Sequence, residues 1–216
     1  EAGAMTALKF VTDRLAYADH TVLTDVDFQV AAGDLHFLIG PNGSGKSTLL
    51  RAAAGLAEPA TGTHFIAGSV VSISAPLELA KLRVYIGQRD VPSFGHRVSD
   101  VVAWGSLAGS AERIDEAIER AGISSFAHRP VDQLSGGQWA RVQFARSIVQ
   151  GASVWMLDEA DAALDASGRH DLYEYIRQAG HTLIAITHDV SMAREYATRV
   201  TRIEGNALVA IHPSEL

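Results

Sequence analysis

The chain has 216 residues, a formal net charge of −7 at pH 7 and no cysteine. Without cysteine there are no disulfides, thiolate metal sites or thiol catalysis, and without a run of Lys or Arg the electrostatic case for binding nucleic acid is weak. Hydrophobic residues make up 47% of the chain and charged residues 20%, which predicts a folded globular protein with one core and room for a small inserted subdomain.

The longest apolar stretches, such as Val154–Leu157, are a few residues long, whereas a helix that crosses a bilayer needs about 20. The sequence therefore predicts no membrane span. No apolar export signal precedes Met5, so we do not expect secretion. Residues 1–4 lie ahead of this plausible initiator methionine; we interpret them as a cloning remnant and place the domain at 5–216.

The first predicted elements are a strand, a glycine-rich loop and a helix. Apolar side chains recur at even positions from Val22 to Val30, which is the period of a half-buried strand. Leu35–Ile39 is a short apolar run, and Ser47–Ala54 has a helical pattern that Gly55 ends. A strand, a loop and a helix in this order form the setting that a phosphate-binding loop needs.

The loop itself, Gly40-Pro-Asn-Gly-Ser-Gly-Lys-Ser47, matches the phosphate-loop pattern G-x-x-x-x-G-K-[ST]. Its glycines let successive N–H groups turn towards phosphate oxygens, and the following helix presents its positive end to the same anion. We expect Lys46 to reach the β- and γ-phosphates and the Ser47 hydroxyl to bind Mg²⁺. The predicted nucleotide-binding residues of this segment are Gly40, Pro41, Asn42, Gly43, Ser44, Gly45, Lys46, Ser47 and Thr48.

The later elements predict helices and strands that are buried on both faces. Glu112–Ala121 has an amphipathic helical pattern, and Ser135–Val149 fits a helix that begins at a serine N-cap. Val154–Leu157 and Leu183–Ile186 are continuous apolar runs, and a helical pattern over Gly168–Gln178 separates them. The core is therefore predicted to be a largely parallel sheet.

Two adjacent carboxylates, Asp158 and Glu159, follow the first of these runs. A carboxylate at the end of a buried strand beside a phosphate loop is suited to hold Mg²⁺ through its waters, which we expect of Asp158. Glu159 is expected to polarise the attacking water as a general base. His188 follows the second run, at the edge where parallel sheets bind ligands, whereas the other eight histidines show no paired ligand spacing and predict no metal site of their own.

Residues 134–138 read Leu-Ser-Gly-Gly-Gln and follow the phosphate loop in the chain. Together with that loop and the carboxylate pair, this signature resembles the ATP-binding cassette family, whose members power ABC transporters. The resemblance implies an α/β fold: a P-loop NTPase core with a mainly parallel sheet, an antiparallel β subdomain and an inserted helical subdomain. We expect the core to comprise residues 5–87 and 134–216, and the helical subdomain about 88–133.

The resemblance also implies a nucleotide site that two copies share. Ser135, Gly136, Gly137 and Gln138 would bind the γ-phosphate of ATP held by a second copy of the chain, since an open helix end attracts a multiply charged anion. ATP would then assemble a head-to-tail homodimer.

Other roles follow from the same resemblance. Tyr17 would stack on the adenine ring, Gln88 would reach Mg²⁺ or the attacking water, and Asp165 would lie in a loop that crosses the dimer interface. His188 would contact the γ-phosphate and orient the water with Glu159. The catalytic set implied in this way is Glu159, His188, Lys46 and Gln88, and the Mg²⁺ ligands, partly through water, are Ser47, Gln88 and Asp158.

One departure from the family follows Glu159, where Pro-Thr is common and this chain has Ala160-Asp161. The change removes a rigid residue and adds a negative charge close to the nucleotide. We expect slower turnover or weaker binding of Mg²⁺ as a consequence.

The implied cofactors are ATP and Mg²⁺, and the implied partners are transmembrane permease subunits and an extracytoplasmic substrate-binding protein. The chain would then lie peripherally on the cytoplasmic face of the membrane. The segment over 84–105 is similar to cassettes of zinc or manganese importers and of iron-siderophore, haem or cobalamin importers. Two alternatives stay open at this point: a soluble ABC ATPase with no part in transport, and a regulatory ATP clamp with little hydrolysis.

Overall fold

The computed structural model describes residues 5–17, 20–57, 62–71, 76–87, 95–106 and 111–216. The strands of this part of the chain are β1 Thr6–Tyr17, β2 His20–Ala31, β3 Leu35–Ile39, β4 Gly62–Ile66, β5 Ser69–Val70, β6 Arg83–Ile86, β7 Val154–Asp158, β8 Thr182–Ile186, β9 Arg199–Glu204 and β10 Ala207–Ile211. The α-helices are α1 Lys46–Ala53, α2 Pro76–Leu82, α3 Val98–Ala103, α4 Ala111–Arg120, α5 Gly136–Gln150, α6 Ala166–Gln178 and α7 Val190–Tyr196.

The central sheet has six strands in the order β10-β9-β3-β8-β7-β6. All neighbouring pairs are parallel except β9 with β10, so the predicted parallel core is confirmed. Strands β7 and β8 are buried along their whole length, which is the reason for their continuous apolar sequences. Because Asp158 pairs with Ile186, the carboxyl ends of β7 and β8 lie side by side.

A second sheet of four antiparallel strands, in the order β2-β1-β4-β5, packs beside the first. Phe10 and Phe28 lie opposite each other in its β1–β2 register, and both are buried. The predicted strand over Val22–Val30 is thus confirmed as the inner part of β2. The antiparallel sheet that the family resemblance implies is present.

The central sheet separates two apolar clusters. On one face Phe37 and Trp155 pack with the helices that include α5, and on the other Leu38 and Met156 pack with α1 and the antiparallel sheet. Neighbouring residues on β3 and on β7 enter opposite clusters because side chains of a strand alternate between its faces. The sheet is therefore covered on both sides, as an α/β core requires.

The predicted helices agree with the observed helices to within one or two residues at each end. The helix after the phosphate loop begins at Lys46, the amphipathic helix covers Ala111–Arg120, and α5 covers Gly136–Gln150 behind its Ser135 cap. Helices α3 and α4 fall inside the segment expected to form the helical subdomain. The residue boundaries of that subdomain stay a prediction.

His36 on β3 makes the stability of the fold depend on pH. Its ring is almost fully buried, its Nε2 lies 2.8 Å from Thr201 Oγ1, and its edge meets the Phe28 ring at 5.1 Å. Burial lowers the pKa of His36 to about 4, against the opposing effect of the Asp34 charge. The folded chain therefore holds this imidazole neutral at pH values where an unfolded chain protonates it.

We expect His36→Gln to reduce the loss of stability on acidification. Between the unfolded pKa of about 6.5 and the folded value the unfolded state binds more protons, so stability falls as pH falls, by about 2 kcal/mol from this residue between pH 7.5 and 5.0. Urea unfolding at both pH values measures the difference for wild type and variant. An equal loss in both proteins would show that His36 does not contribute.

Candidate nucleotide site

The phosphate loop joins β3 to α1 and has the backbone form that its glycines allow. Gly43 and Gly45 have φ angles of 76° and 98°, in the left-handed region. A Cβ atom on Gly45 would lie 2.1 Å from Val22 Cγ1, so β2 packs directly against the loop and excludes any side chain there. The Ser44 hydroxyl in the same loop is buried without a hydrogen-bond partner.

Lys46 is buried at the start of α1 and points into the loop. Its Nζ donates to the carbonyl oxygens of Gly40 and Pro41 at 2.9 and 2.8 Å. A cavity of about 210 Å³ lies over the loop and is lined by Tyr17, Val22, Gly43, Gly45, Lys46, Ser47, Thr48 and Glu159. The structure therefore brings the aromatic residue, the loop and the general base of the prediction to one cavity.

Asp158 at the end of β7 meets the loop through Ser47. Ser47 Oγ donates to one carboxylate oxygen at 2.7 Å, and Tyr85 Oη donates to the other at 2.9 Å. Tyr85 was not among the predicted site residues, although it carries a hydroxyl in the largely apolar strand β6, which pairs with β7. Burial, and secondarily the charge of Asp158, raise the pKa of the Tyr85 hydroxyl, so it stays a donor at neutral pH.

Hydroxyl and carboxylate oxygens are the ligands that Mg²⁺ prefers. Ser47, which lines the cavity, provides one, and Asp158, which accepts a hydrogen bond from Ser47, provides the other. These two residues are suited to bind the predicted Mg²⁺ ion. Phosphate oxygens and water would complete its coordination. Across the residues that the structure describes, no group of three or more His, Asp or Glu side chains forms a metal site of protein ligands alone.

Glu159 and His188 lie in contact at the same edge of the sheet. His188 Nε2 is 2.9 Å from Glu159 Oε1, and the Glu159 N–H donates to the Ile186 carbonyl at 3.1 Å. Glu159 has a φ of 55°, which is uncommon for a residue with a side chain and is maintained here by the cross-strand hydrogen bond. The turn directs the carboxylate to the cavity over the phosphate loop. The predicted base and histidine are thus placed together.

The signature segment begins α5 with a reciprocal cap. Ser135 Oγ accepts from the Gln138 N–H at 3.2 Å, and Gln138 Oε1 accepts from the Ser135 N–H at 3.0 Å. Ser135 and Gly136 are exposed, and no residue of 135–138 belongs to the described lining of the cavity over the phosphate loop. This helix end is therefore open to solvent rather than closed on the chain's own phosphate loop.

The loop that contains Asp165 lies against this helix end. A Cβ atom on Gly137 would lie 2.9 Å from the Ala163 carbonyl oxygen, so the close approach requires glycine. Asp165 caps α6 by accepting from the Gly168 N–H at 2.8 Å, which lowers the pKa of its carboxyl, and it meets Arg141 of α5 at 3.1 Å. The two predicted interface segments thus form one surface.

Gln88 lies outside the described residues. Asp161, expected to add charge close to the nucleotide, is 2% exposed and does not belong to the described lining of the cavity over the phosphate loop. Its carboxylate instead accepts hydrogen bonds from Tyr173 and Thr187, because the chain turns into the core after Glu159.

Comparison with known proteins places this site in a family. The sequence pattern described as ABC transporter matches residues 23–162, which is more than half of the chain. The chain belongs to the ABC transporter family. It is an ATP-binding subunit whose ATP hydrolysis is coupled to transport.

Relatives of the cassette are similar over nearly its whole length. It is 34% identical over 94% of its length to a hemin import ATP-binding protein HmuV of Rhodopseudomonas palustris, of which the match covers 81%. It is 36% identical over 92% of its length to the energy-coupling factor transporter ATP-binding protein EcfA1 of Lacticaseibacillus paracasei, of which 76% is covered.

Solved structures agree with this assignment. The structure of cbiO1 from Clostridium perfringens, part of the ABC transporter complex cbiONQ, is 26% identical and superposes with a TM-score of 0.83, covering 98% of this chain and 90% of the other. A nucleotide-free ATP-binding cassette from an ABC transporter, 22% identical with a TM-score of 0.81 and covering 95% and 90% of the two chains, shares the fold. Among the described residues of this chain, every helix is too short or too polar to reach across a bilayer.

Proposed function

We propose that this cassette drives the import of a haem-type iron chelate through separate permease subunits. The cargo is inferred from the similarity to hemin import ATP-binding proteins. The identity is 34% over 94% of the chain for the protein of Rhodopseudomonas palustris and 36% over 93% for that of Streptomyces coelicolor. The permease would hold the cassette peripherally at the cytoplasmic face of the membrane. A substrate-binding protein outside the membrane would deliver the chelate.

A head-to-tail homodimer is supported by the two halves of the site. The phosphate loop and Glu159 line one cavity, whereas Ser135 and Gly136 are exposed and line a neighbouring cavity that Glu159 also reaches but the phosphate loop does not. A helix N-terminus with free N–H groups attracts anions. We infer that Ser135–Gln138 of one copy close on the γ-phosphate held by Lys46 of the other, with the Asp165 loop at the contact.

Hydrolysis would take place between these surfaces. Lys46 and the N–H groups of the loop stabilise the charge on the phosphates, while Glu159 takes the proton of the attacking water and His188 orients it. Mg²⁺, held by Ser47 and Asp158 with Gln88 as a further ligand, would supply positive charge to the phosphate oxygens. Gln88 would also connect the site with the permease.

Tyr17 is proposed to stack on the adenine ring. Its side chain is 72% exposed at the rim of the cavity over the phosphate loop, a position from which an aromatic face is free to cover a base. A side chain that is this exposed does not belong to the hydrophobic core.

We expect Tyr17→Ala to raise the dissociation constant for ATP about tenfold, because base stacking on an aromatic residue contributes about 1–3 kcal/mol. Tyr17→Trp retains the stacking face and should bind ATP like wild type. Inorganic triphosphate has no base, so its affinity should be the same in all three proteins. Titration calorimetry measures the dissociation constants of both ligands for the three proteins. An unchanged ATP affinity in Tyr17→Ala would remove this residue from the site.

The test of the cargo begins with affinity purification of the tagged chain from its native cells in mild detergent, followed by mass spectrometry. The complex is then reconstituted in proteoliposomes with its binding protein, and ATP hydrolysis is measured with haem, an iron-siderophore, zinc and manganese in turn. Stimulation by haem alone supports the proposal. Recovery of ribosomal or DNA-repair proteins without a multi-span membrane protein, or stimulation by a free metal ion alone, contradicts it.

A further inference from the structure

The segment after the general base contains a buried acid, Asp161, where the family commonly has a threonine. Its carboxylate Oδ2 accepts from Tyr173 Oη at 2.8 Å and from Thr187 Oγ1 at 3.3 Å. The backbone carbonyl of Asp161 accepts from the Leu164 N–H at 3.0 Å, which holds the turn after β7. Asp161 thus joins three parts of the chain: the turn after β7, helix α6 and the segment after β8.

Tyr173 fixes one side of this network to the core. Its ring is fully buried on α6, stacks on Tyr196 at 5.3 Å between centroids and packs against Phe37 of β3 at 5.6 Å. A side chain held by two aromatic neighbours has little freedom to move its hydroxyl. The hydrogen bond from Tyr173 therefore fixes the position of the Asp161 carboxylate.

Thr187 transmits that position to the catalytic pair. Its hydroxyl donates to Asp161 and accepts from the Asp189 N–H at 3.0 Å, so the backbone on both sides of His188 is held. The next residue, His188, contacts Glu159 at 2.9 Å. Asp161 is thus linked to the residue before His188 by one buried hydrogen bond.

The hydrogen-bond network lies at the same cavity as the catalytic pair. This cavity of about 470 Å³ is lined by Asp161, Thr187, His188, Glu159 and Arg169. Arg169 is the cation of this group; it lies 3.8 Å from Asp189, and its Nε is buried without a hydrogen-bond partner. If the Asp161 carboxylate loses one of its donors, replacing that hydrogen bond by one to water costs free energy. We therefore expect the segment around Asp161 to shift.

We propose that Asp161 is a positioning residue for ATP hydrolysis, which places His188 against Glu159 through Thr187 and is itself held by Tyr173. The proposal rests on the proposed roles of Glu159 and His188. Asp161 does not belong to the described lining of the cavity over the phosphate loop, so the network acts on turnover and not on binding. The carboxylate of Asp161 provides an acceptor for two hydroxyl groups.

Matched substitutions separate this role from general stability. Tyr173→Phe removes the hydroxyl and keeps the stacked ring, and Thr187→Val removes the hydroxyl and keeps the shape, whereas Thr187→Ser keeps the donor. Tyr196→Phe is the control, because Tyr196 belongs to the same ring stack but its hydroxyl contacts His170 instead. We measure kcat, the dissociation constant for ATP and the thermal midpoint of the whole chain.

We expect Tyr173→Phe and Thr187→Val to lower kcat about tenfold with the ATP dissociation constant unchanged, because small displacements of catalytic groups affect turnover strongly. Thr187→Ser and Tyr196→Phe should turn over like wild type. In a His188→Ala background, Tyr173→Phe should have no further effect on kcat. A tenfold loss in both backgrounds, or a loss in Tyr196→Phe equal to that in Tyr173→Phe, would overturn the proposal.

The Hε1 resonance of the His188 ring gives a readout that does not depend on turnover. It is assigned as the signal missing from His188→Ala, and we expect it to shift in Tyr173→Phe and Thr187→Val but not in Tyr196→Phe. An unmoved resonance in all three variants overturns the positioning role alone. If Glu159→Gln hydrolyses ATP as fast as wild type, the catalytic roles are wrong and the proposal fails with them.

Discussion

Replacing Glu159 by Gln is expected to lower kcat for ATP by about 100- to 1000-fold, since an amide cannot accept the proton of the attacking water. The two side chains have nearly the same shape, so the backbone turn with its positive φ and the hydrogen bond from the Glu159 N–H to Ile186 should persist. ATP should still bind, because the phosphate loop and Lys46 are untouched. The variant should therefore accumulate as an ATP-bound homodimer.

Steady-state phosphate release and size-exclusion chromatography with ATP measure these two effects. Glu78→Gln is a matched control, because Glu78 is an exposed helical residue that pairs with Lys81 at 2.7 Å and does not belong to the described lining of the cavity over the phosphate loop. It should hydrolyse ATP like wild type. Equal, near-zero rates in wild type and Glu159→Gln would favour a regulatory ATP clamp over an ATPase and would remove Glu159 from the catalytic set.

The second large effect is expected at Lys46. Lys46→Met keeps the length and the apolar stem of the side chain but removes the ammonium that donates to Gly40 and Pro41. Because charge-assisted hydrogen bonds contribute about 1.5–3 kcal/mol each, ATP affinity should fall about 100-fold and hydrolysis should be lost with it. The chain should remain folded, since the methionine side chain fills the same buried space.

Titration calorimetry with ATP, ADP and AMP tests this assignment. AMP lacks the β- and γ-phosphates, so its weak affinity should not change in Lys46→Met. The matched control is Lys81→Met, which removes a half-exposed lysine from α2 and should bind all three nucleotides like wild type. A loss of AMP affinity equal to that for ATP would mean that the substitution damages the loop and that the ammonium does not bind the distal phosphates.

Part of this site was predictable from the sequence because it depends on residues that are neighbours in the chain. The phosphate loop was predictable because its function needs glycine backbone conformations, a lysine and a hydroxyl at fixed spacing, and all of these are properties of neighbouring residues. The Ser135 cap of α5 was predictable for the same reason, since a capping box closes within one turn. The buried strands β7 and β8 followed from their continuous apolar runs.

Four features were therefore predictable from the residues alone: the phosphate loop, the acidic pair at the end of β7, the signature helix and the parallel character of the core. The contacts between distant segments were not predictable in this way: Tyr85 with Asp158, Val22 against Gly45, and Asp161 with Tyr173 and Thr187. These contacts depend on strand register and on which face of a strand or helix each side chain leaves. Neither quantity is a property of neighbouring residues, because both are fixed by the packing of the whole core.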